Sequence, residues 1–402
     1  MLSQKSLPVI KATLPVVGAN IQDIAECFYG RMFSARPELL DGLFNRGNQA
    51  DGQQQQALAG SIAAFATMLV ENPGHLPEAL LSRISHKHVS LGINPDQYQI
   101  VHDHLFAAIV EKLGDAVTDE VAAAWEEVYW LMANTLISLE RGLYNAVGLN
   151  PDTVWRTWRV AERIQETEDV VKITFERIDD RDVKPSLPGQ YVTLQMPTLD
   201  NKHQPRQYSL ITADDGYHRR LAIKRLSEPG KPDGEVSSLL HDNVQIGDEL
   251  VMSAPFGDVV MDDTDRPVVF ASAGIGITPM AGMVSHLSRQ HSSRQVKFLH
   301  AGTSPETFAL REQVTADLAS LPDAAMTMWY EKGAENSSPD ADVRSGFMDV
   351  RSVDLPVGAT YYLCGPVVFM QVVREDLLAL GIHPRDIQYE VFGPDLWQAD
   401  FQ

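Results

Sequence analysis

The feature that most constrains what this chain can fold into is a change of hydrophobic period near residue 150. Upstream, through "ERGLYNAVGLN", apolar residues recur at three- and four-residue intervals in "CFYGRMF", "QALAGSIAAFATMLV", "DQYQIVHDHLFAAIVEKL" and "DEVAAAWEEVYWLMANTLISLERGLYNAV". This stretch reads as helices throughout. Gly148, Asn150 and Pro151 break the pattern, and from Trp158 the runs "VVKITFERI", "QYVTLQM", "QYSLIT" and "RRLAIKRL" alternate apolar and polar residues between Pro and Gly turns. A small antiparallel β-barrel is expected there. Beyond "DVVMDDTDR" the apolar runs become continuous, in "PVVFASAG", "QVKFLHAG" and "ATYYLCGP", each followed by a helical stretch, as buried parallel strands with covering helices require. The expected fold is therefore multi-domain: an all-α domain over 1–147, an antiparallel β-barrel over 152–262 and an α/β parallel-sheet domain over 263–402.

Composition narrows the partners. The 402 residues are 44% apolar and 22% charged, enough for several cores. The formal net charge of −21 repels phosphate backbones and anionic lipid, which argues against nucleic-acid binding and stable membrane association. Cys27 and Cys364, the two cysteines, cannot build a disulfide framework and suit a reducing compartment. The opening "MLSQKSLPVI" lacks the pattern of a secretory signal, and no apolar window reaches membrane-spanning length. A soluble, cytoplasmic, monomeric protein acting on small molecules is expected.

Four stretches carry candidate chemistry. In "RISHKHVSLGI", His86 and His88 lie about 200° apart around a helix and cannot share a face. Leu80, Leu81, Ile84, His88 and Leu91 form the stripe expected to be buried, with Ser82, His86 and Ser90 toward water. Taken alone, an inward histidine is more often a hydrogen-bonded core residue than a ligand. In "ASAGIGITPM", Gly274 and Gly276 end an apolar strand and Pro279 falls in the first turn of the next helix. Bare glycines let a backbone approach a pyrophosphate, and a helix N-terminus offers it free N–H groups. The third glycine of the dinucleotide fingerprint is absent, as is a Walker lysine. In "RQYSL", Arg206 can fork onto a phosphate, and Tyr208 and Ser209 are expected on one strand face, flanking a planar ring. "CGP" at 364–366 ends a third apolar strand on another bare backbone.

In this order and spacing the motifs are specific. With "RQYS", "PGQY", "GIGITPM", "YLCGP" and the closing "YEVFGP", residues 152–402 resemble the ferredoxin-reductase type of flavoprotein. With the helical stretch in front, the whole chain resembles the flavohaemoglobins, enzymes that dioxygenate nitric oxide.

That resemblance implies three cofactors: haem b, FAD, and NADH or NADPH. It makes His88 the axial ligand of the haem iron, with Tyr98 and Glu140 as its proximal hydrogen-bond network. On the distal side it places Tyr29 as donor, with Gln54 of the run Gln53 to Gln56, Phe44 wedging the ring and Leu58 lining the pocket. FAD is matched to Tyr191, Arg206, Gln207, Tyr208, Ser209, Val391, Phe392, Gly393 and Pro394. Val236 and Ser237 are matched to backbone and hydroxyl donors for its pyrophosphate. The nicotinamide nucleotide is matched to Gly274, Ile275, Gly276, Ile277, Thr278, Pro279, Cys364, Gly365 and Pro366. Lys87 and Glu390 match positions near the haem and flavin edges. Many relatives carry Cys where this chain has Val391, so any thiol contribution there is absent.

The implied activity passes electrons from NAD(P)H through FAD to haem, where dioxygen converts nitric oxide to nitrate, a detoxification. The flavin stands between because hydride carries two electrons and haem iron accepts one. The competing readings are a haem oxygen carrier or sensor with an attached ferric reductase, and an NAD(P)H-flavin reductase without haem. The choice between NADH and NADPH turns on a cation meeting the 2′-phosphate, for which Arg311 and His300 are candidates.

Overall fold

The protein is described here from a computed structural model, which covers residues 1–50, 52–72, 74–181, 183–227, 230–336, 342–394 and 397. The helical part comprises α1 (Ser6–Ala35), α2 (Arg46–Ala50), α3 (Gln53–Glu71), α4 (Glu78–Ser90), α5 (Asp96–Leu113) and α6 (Asp119–Val147). Expected periodicity and observed helix coincide for α5 and α6. The second begins where the Thr118 hydroxyl accepts the Val121 N–H at 3.3 Å, and ends at Gly148 in the left-handed region, φ 69°. Ile24, Phe28, Phe65, Leu81, Leu105 and Leu136 meet in one apolar core. Each such side chain contributes about 1.5–3 kcal/mol on full burial, so packing rather than local propensity holds these helices.

α4 departs from its expected single stripe. Ser90, expected toward water, is fully buried, and Ser85 nearly so. Their hydroxyls donate to Lys87 O at 2.8 Å and Ser82 O at 2.7 Å, so neither carries an unsatisfied donor inside.

Next come β1 (Trp155–Gln165), β2 (Val170–Arg177), β3 (Tyr191–Pro197), β4 (His203–Ser209), β5 (His218–Lys224), α7 (Glu235–Asp242) and β6 (Glu249–Ser253). They form a six-stranded antiparallel sheet in the order β4-β3-β6-β1-β2-β5. The remainder contains β7 (Val268–Ala273), α8 (Ile277–Arg289), β8 (Val296–Gly302), α9 (Arg311–Ala319), β9 (Ala324–Tyr330), β10 (Asp342–Ser345), β11 (Thr360–Cys364), α10 (Val367–Ala379) and β12 (Ile387–Glu390). These strands form a parallel sheet in the order β10-β9-β8-β7-β11-β12. The chain leaves β7 toward β8, β9 and β10, then returns to β11 on the other side. Strand order therefore reverses between β7 and β11, the kind of switch point at which such sheets bind ligands beyond the C-terminal ends of their strands.

Two compact units result. One is Met1–Arg156 with Gln195–Arg206 and the described residues of Gly393–Gln402; the other is Thr157–Leu194 with Gln207–Phe392. Among the described residues no helix is long and apolar enough to cross a membrane.

Candidate functional site

In the helical unit, α4, α5 and α6 converge on His88. Its Nδ1 lies 2.8 Å from Glu140 Oε1 and 3.0 Å from the Tyr98 hydroxyl, while that hydroxyl donates to the same carboxylate oxygen at 2.5 Å. Proton counting fixes the arrangement. The phenol has one proton and gives it to Glu140, and an ionised carboxylate only accepts, so Nδ1 must donate. In a neutral imidazole this leaves Nε2 a bare lone pair, ready for a metal.

Helix α6 builds this geometry by periodicity. Tyr129, Glu140 and Tyr144 fall on one stripe of it. Tyr129 donates to Tyr98 O at 2.5 Å, and Tyr144 donates to Ile93 O at 3.1 Å and Val89 O at 3.3 Å. The second pair ties down the end of α4, where Gly92 takes φ 72° and where a Cβ would sit 3.0 Å from Trp155 Nε1. Glu140 is 3% exposed. Burial, then its charge, holds the Tyr98 hydroxyl well above the ordinary phenol value.

Elsewhere in the helical unit, Tyr29 on α1 is buried and hydrogen-bonded to Gln54, with burial raising its pKa well above the usual phenol value. Among the four glutamines, Gln54 is thus the one joined to Tyr29, whereas Gln55 turns to Gln49, its Nε2 3.3 Å from the Gln49 carbonyl. Phe44 lies edge-on to Tyr29 at 6.1 Å and to Phe33 at 5.1 Å, and Leu58 packs on the same core. Lys87 is half-buried on α4. Among the described residues no cluster of three His, Cys, Asp or Glu could hold a bare metal ion. A lone imidazole suits an iron that would bring its other donors with it, as a porphyrin does.

In the second unit, the turn after β7 and the turn after β11 touch at the switch point. A Cβ on Gly276 would overlap Cys364 O and lie 2.6 Å from Gly365 N, so only glycine fits there. Gly274 takes φ 53°. α8 begins immediately after, with no side chain capping its N-terminus and with Pro279 in its first turn; Thr278 donates to Ile275 O at 3.0 Å. Ile277 is buried and Ile275 half-buried. A helix start with no side-chain cap, beside two glycine turns, is a place that could receive a pyrophosphate, although the Ile277 N–H is already given to Gly274 O and Ile275 O. Register places Ser272, Cys364 and Glu390 side by side on β7, β11 and β12. Cys364 is buried, and burial, then Glu390, raises its thiol pKa. Gly365 is half-buried, Pro366 exposed.

Among the flavin candidates, Tyr191 pairs with Phe256 through both backbone bonds, and Gly257 at φ 138° leaves room for its ring. The Gln207 amide donates to Thr193 Oγ1 at 3.3 Å, and Arg206 Nη1 to Pro205 O at 2.8 Å. Tyr208 and Ser209, expected on one face, are successive residues of β4 and project to opposite faces; Ser209 is buried and Tyr208 half-buried. At the start of α7 the Ser237 hydroxyl, expected to face a ligand, donates to Gly234 O at 3.0 Å and accepts Leu226 N at 3.1 Å. Val236 is buried beside it. Val391 is buried, Phe392 and Gly393 exposed, and Pro394 half-buried.

His300 drops out as a phosphate-binding cation. It is buried, stacked on Phe308 at 4.2 Å and hydrogen-bonded to Ser272 at 2.9 Å, and burial pushes its pKa down to about 3. Arg311 is exposed at the start of α9. Gly282, which the motifs did not single out, leaves α8 so close to Leu210 O that a Cβ would overlap it. A lone glycine inside a helical pattern is the signal that could have found it.

The globin family matches residues 26–136, and the oxidoreductase NAD-binding domain family residues 270–375. The flavohemoprotein of Rhizobium meliloti (strain 1021) is 39% identical, over 99% of this chain and 100% of its own length; that of Chromobacterium violaceum is 40% identical, over 98% of each. A flavohemoglobin from Malassezia yamatoensis, whose crystal structure holds bound FAD and heme, is 40% identical. Its TM-score is 0.89, with 98% of this chain and all of that one covered. The FAD/NAD-binding domain of a nitric oxide dioxygenase from Vibrio cholerae is 35% identical, covering 60% of this chain and 99% of that one at a TM-score of 0.55. With globin helices, an antiparallel sheet and a parallel nucleotide-binding sheet in one polypeptide, and full-length relatives near 40% identity, this chain belongs to the flavohaemoprotein family.

Proposed function

We propose that this oxidoreductase is an NAD(P)H-dependent nitric oxide dioxygenase, with 1–147, 152–262 and 263–402 as its haem, flavin and nicotinamide domains. The observation that carries the reading is the pair of contacts from His88 Nδ1 to Glu140 and Tyr98, which in a neutral ring leaves Nε2 as a lone pair backed by a buried carboxylate. Bound haem b and FAD supply what side chains lack, an iron that takes up dioxygen and a flavin that accepts an electron pair and releases it singly. The turns at Gly274 to Pro279 and Cys364 to Pro366 hold NADH or NADPH. Tyr191, the stretch Arg206 to Ser209 and the stretch Val391 to Pro394 hold FAD, with Glu390 and Lys87 near the flavin and haem edges. Its pyrophosphate meets backbone N–H groups at Val236 and Ser237, since the Ser237 hydroxyl braces its own turn.

Glu140 keeps the Nδ1 proton of His88 within hydrogen-bond reach and puts a negative charge beside the ring. Glu140→Gln removes that charge at equal volume. The haem potential is expected to rise, read by spectroelectrochemical titration, and an unchanged potential would take Glu140 out of this role.

Tyr29 stays protonated and donates a hydrogen bond to a diatomic ligand, with Gln54 orienting the phenol. Tyr29→Phe deletes a bond worth about 1.5–3 kcal/mol when the acceptor is partly charged, so oxygen release should quicken roughly ten- to a hundredfold. Nitrate yield should fall in step. Stopped-flow oxygen displacement measures the first and product analysis the second; unchanged release would mean that Tyr29 is only a core aromatic.

A further inference from the structure

Between α1 and α2 lies a short segment that carries Phe44. It is fastened to the hairpin joining β3 to β4, and both belong to the same compact unit. Gly42 N donates to His203 O at 2.8 Å, and His203 N donates to Asp41 Oδ1 at 2.6 Å. Gln204, fully buried, accepts the Arg46 N–H on Oε1 at 2.9 Å and donates from Nε2 to Leu40 O at 3.3 Å. The Arg46 guanidinium then reaches along the hairpin, giving Nη1 to Asp200 Oδ2 at 2.6 Å and Nη2 to Thr198 Oγ1 at 3.1 Å. Gly42, at φ 76°, lets the two backbones close; a Cβ there would lie 3.3 Å from Gln195 Nε2.

This clasp is dense for two pieces of chain more than 150 residues apart, and what lies on either side gives it a use. Two residues before Arg46 stands Phe44, against Tyr29. Two residues beyond Gln204, β4 continues into Arg206, Gln207, Tyr208 and Ser209. The segment that carries Phe44 and the first residues of β4 are thereby joined by polar contacts within one unit.

Resting on the reading of the chain as a haem- and flavin-bearing reductase, we infer that Arg46, acting with Asp41 and Gln204, is a positioning residue for passage of electrons from flavin to haem. Electron transfer depends steeply on the placement of donor and acceptor, so loosening the clasp slows that step. Hydride transfer is assigned instead to the turns after β7 and β11, so it is expected to proceed as before.

The test is anaerobic stopped-flow mixing of NADH with the haem- and FAD-loaded chain, following flavin and Soret bands together. Arg46→Met should bleach flavin at the wild-type rate and reduce haem about tenfold more slowly, the effect of losing a charge-assisted hydrogen bond. Asp200→Arg should behave alike, and combining it with Arg46→Asp should restore much of the rate. Midpoint potentials of haem and flavin should not move in either single variant. Haem reduction at the wild-type rate in Arg46→Met would overturn the inference, as would a slow rate that tracks a shifted potential or a reversed pair that gives no recovery. If flavin bleaches in the wild-type chain and haem stays ferric, the functional reading fails and not the clasp alone.

Discussion

Replacing His88 by alanine should yield a chain that purifies with its flavin and without the Soret band of haem. On the proposed reading Nε2 of His88 is the iron's protein ligand, with Nδ1 held by Glu140 at 2.8 Å. Loss of an outer-shell partner typically lowers metal affinity by ten- to a hundredfold, so loss of the ligand itself should exceed roughly a hundredfold. The deletion also leaves Glu140, at 3% exposure, without its imidazole partner, which adds a folding penalty of about 1–3 kcal/mol. That penalty and the loss of haem are separable. Imidazole added to His88→Ala should restore a Soret band, whereas a general folding defect would not respond to it. Wild-type haem retention in the variant without imidazole would remove the axial role from His88.

Gly276→Ala should strike the opposite end of the electron path. The new methyl has nowhere to go, because Cys364 O and Gly365 N are backbone atoms of the neighbouring turn and cannot rotate aside as a side chain would. Overpacking of this sort costs typically about 1–3 kcal/mol, occasionally more. Here it also spreads the two turns that form the proposed cradle, and a misplacement near 1 Å can cost roughly a hundredfold in rate. Flavin bleaching by NADH should therefore fall by about that factor, while chemically reduced haem binds carbon monoxide as in the wild type. Gly274→Ala provides the contrast. Its φ of 53° strains a side chain, yet nothing lies within 4 Å of the new atom. A left-handed alanine costs about 1–2 kcal/mol, so the expected loss of rate is smaller. Equal effects at 274 and 276 would point to backbone strain rather than to closure of the cradle.

Why some of this was legible in the sequence and some was not follows from the range of the forces involved. The periods of α5, α6, β7 and β8 are local properties, and they appear in the structure close to where the repeats place them. The direction of His88 was readable for the same reason. Ser90 departs from its expected wet face because a serine that bonds its own helix carries no polarity outward, so polarity alone does not mark that face. Tyr208 and Ser209, as successive strand residues, take opposite faces under the strand period of two. Gln54 could be separated from its neighbours only by the partner it meets, Tyr29, on another helix. His300 lost its candidacy through burial, a tertiary fact. The clasp of Asp41, Arg46 and Gln204 on the β3–β4 hairpin was invisible for that reason too: no periodicity joins segments more than 150 residues apart, and each residue alone reads as an ordinary loop polar group.

The proposed reaction consumes nitric oxide, dioxygen and NAD(P)H together, which makes an electrode trace its most direct test. With the loaded chain and NADH or NADPH in air-saturated buffer, nitric oxide should disappear at once, nicotinamide oxidation should accelerate, and nitrate should account for the nitrogen lost. Nitric oxide loss that proceeds equally well without dioxygen, or nicotinamide oxidation indifferent to nitric oxide, would contradict the account.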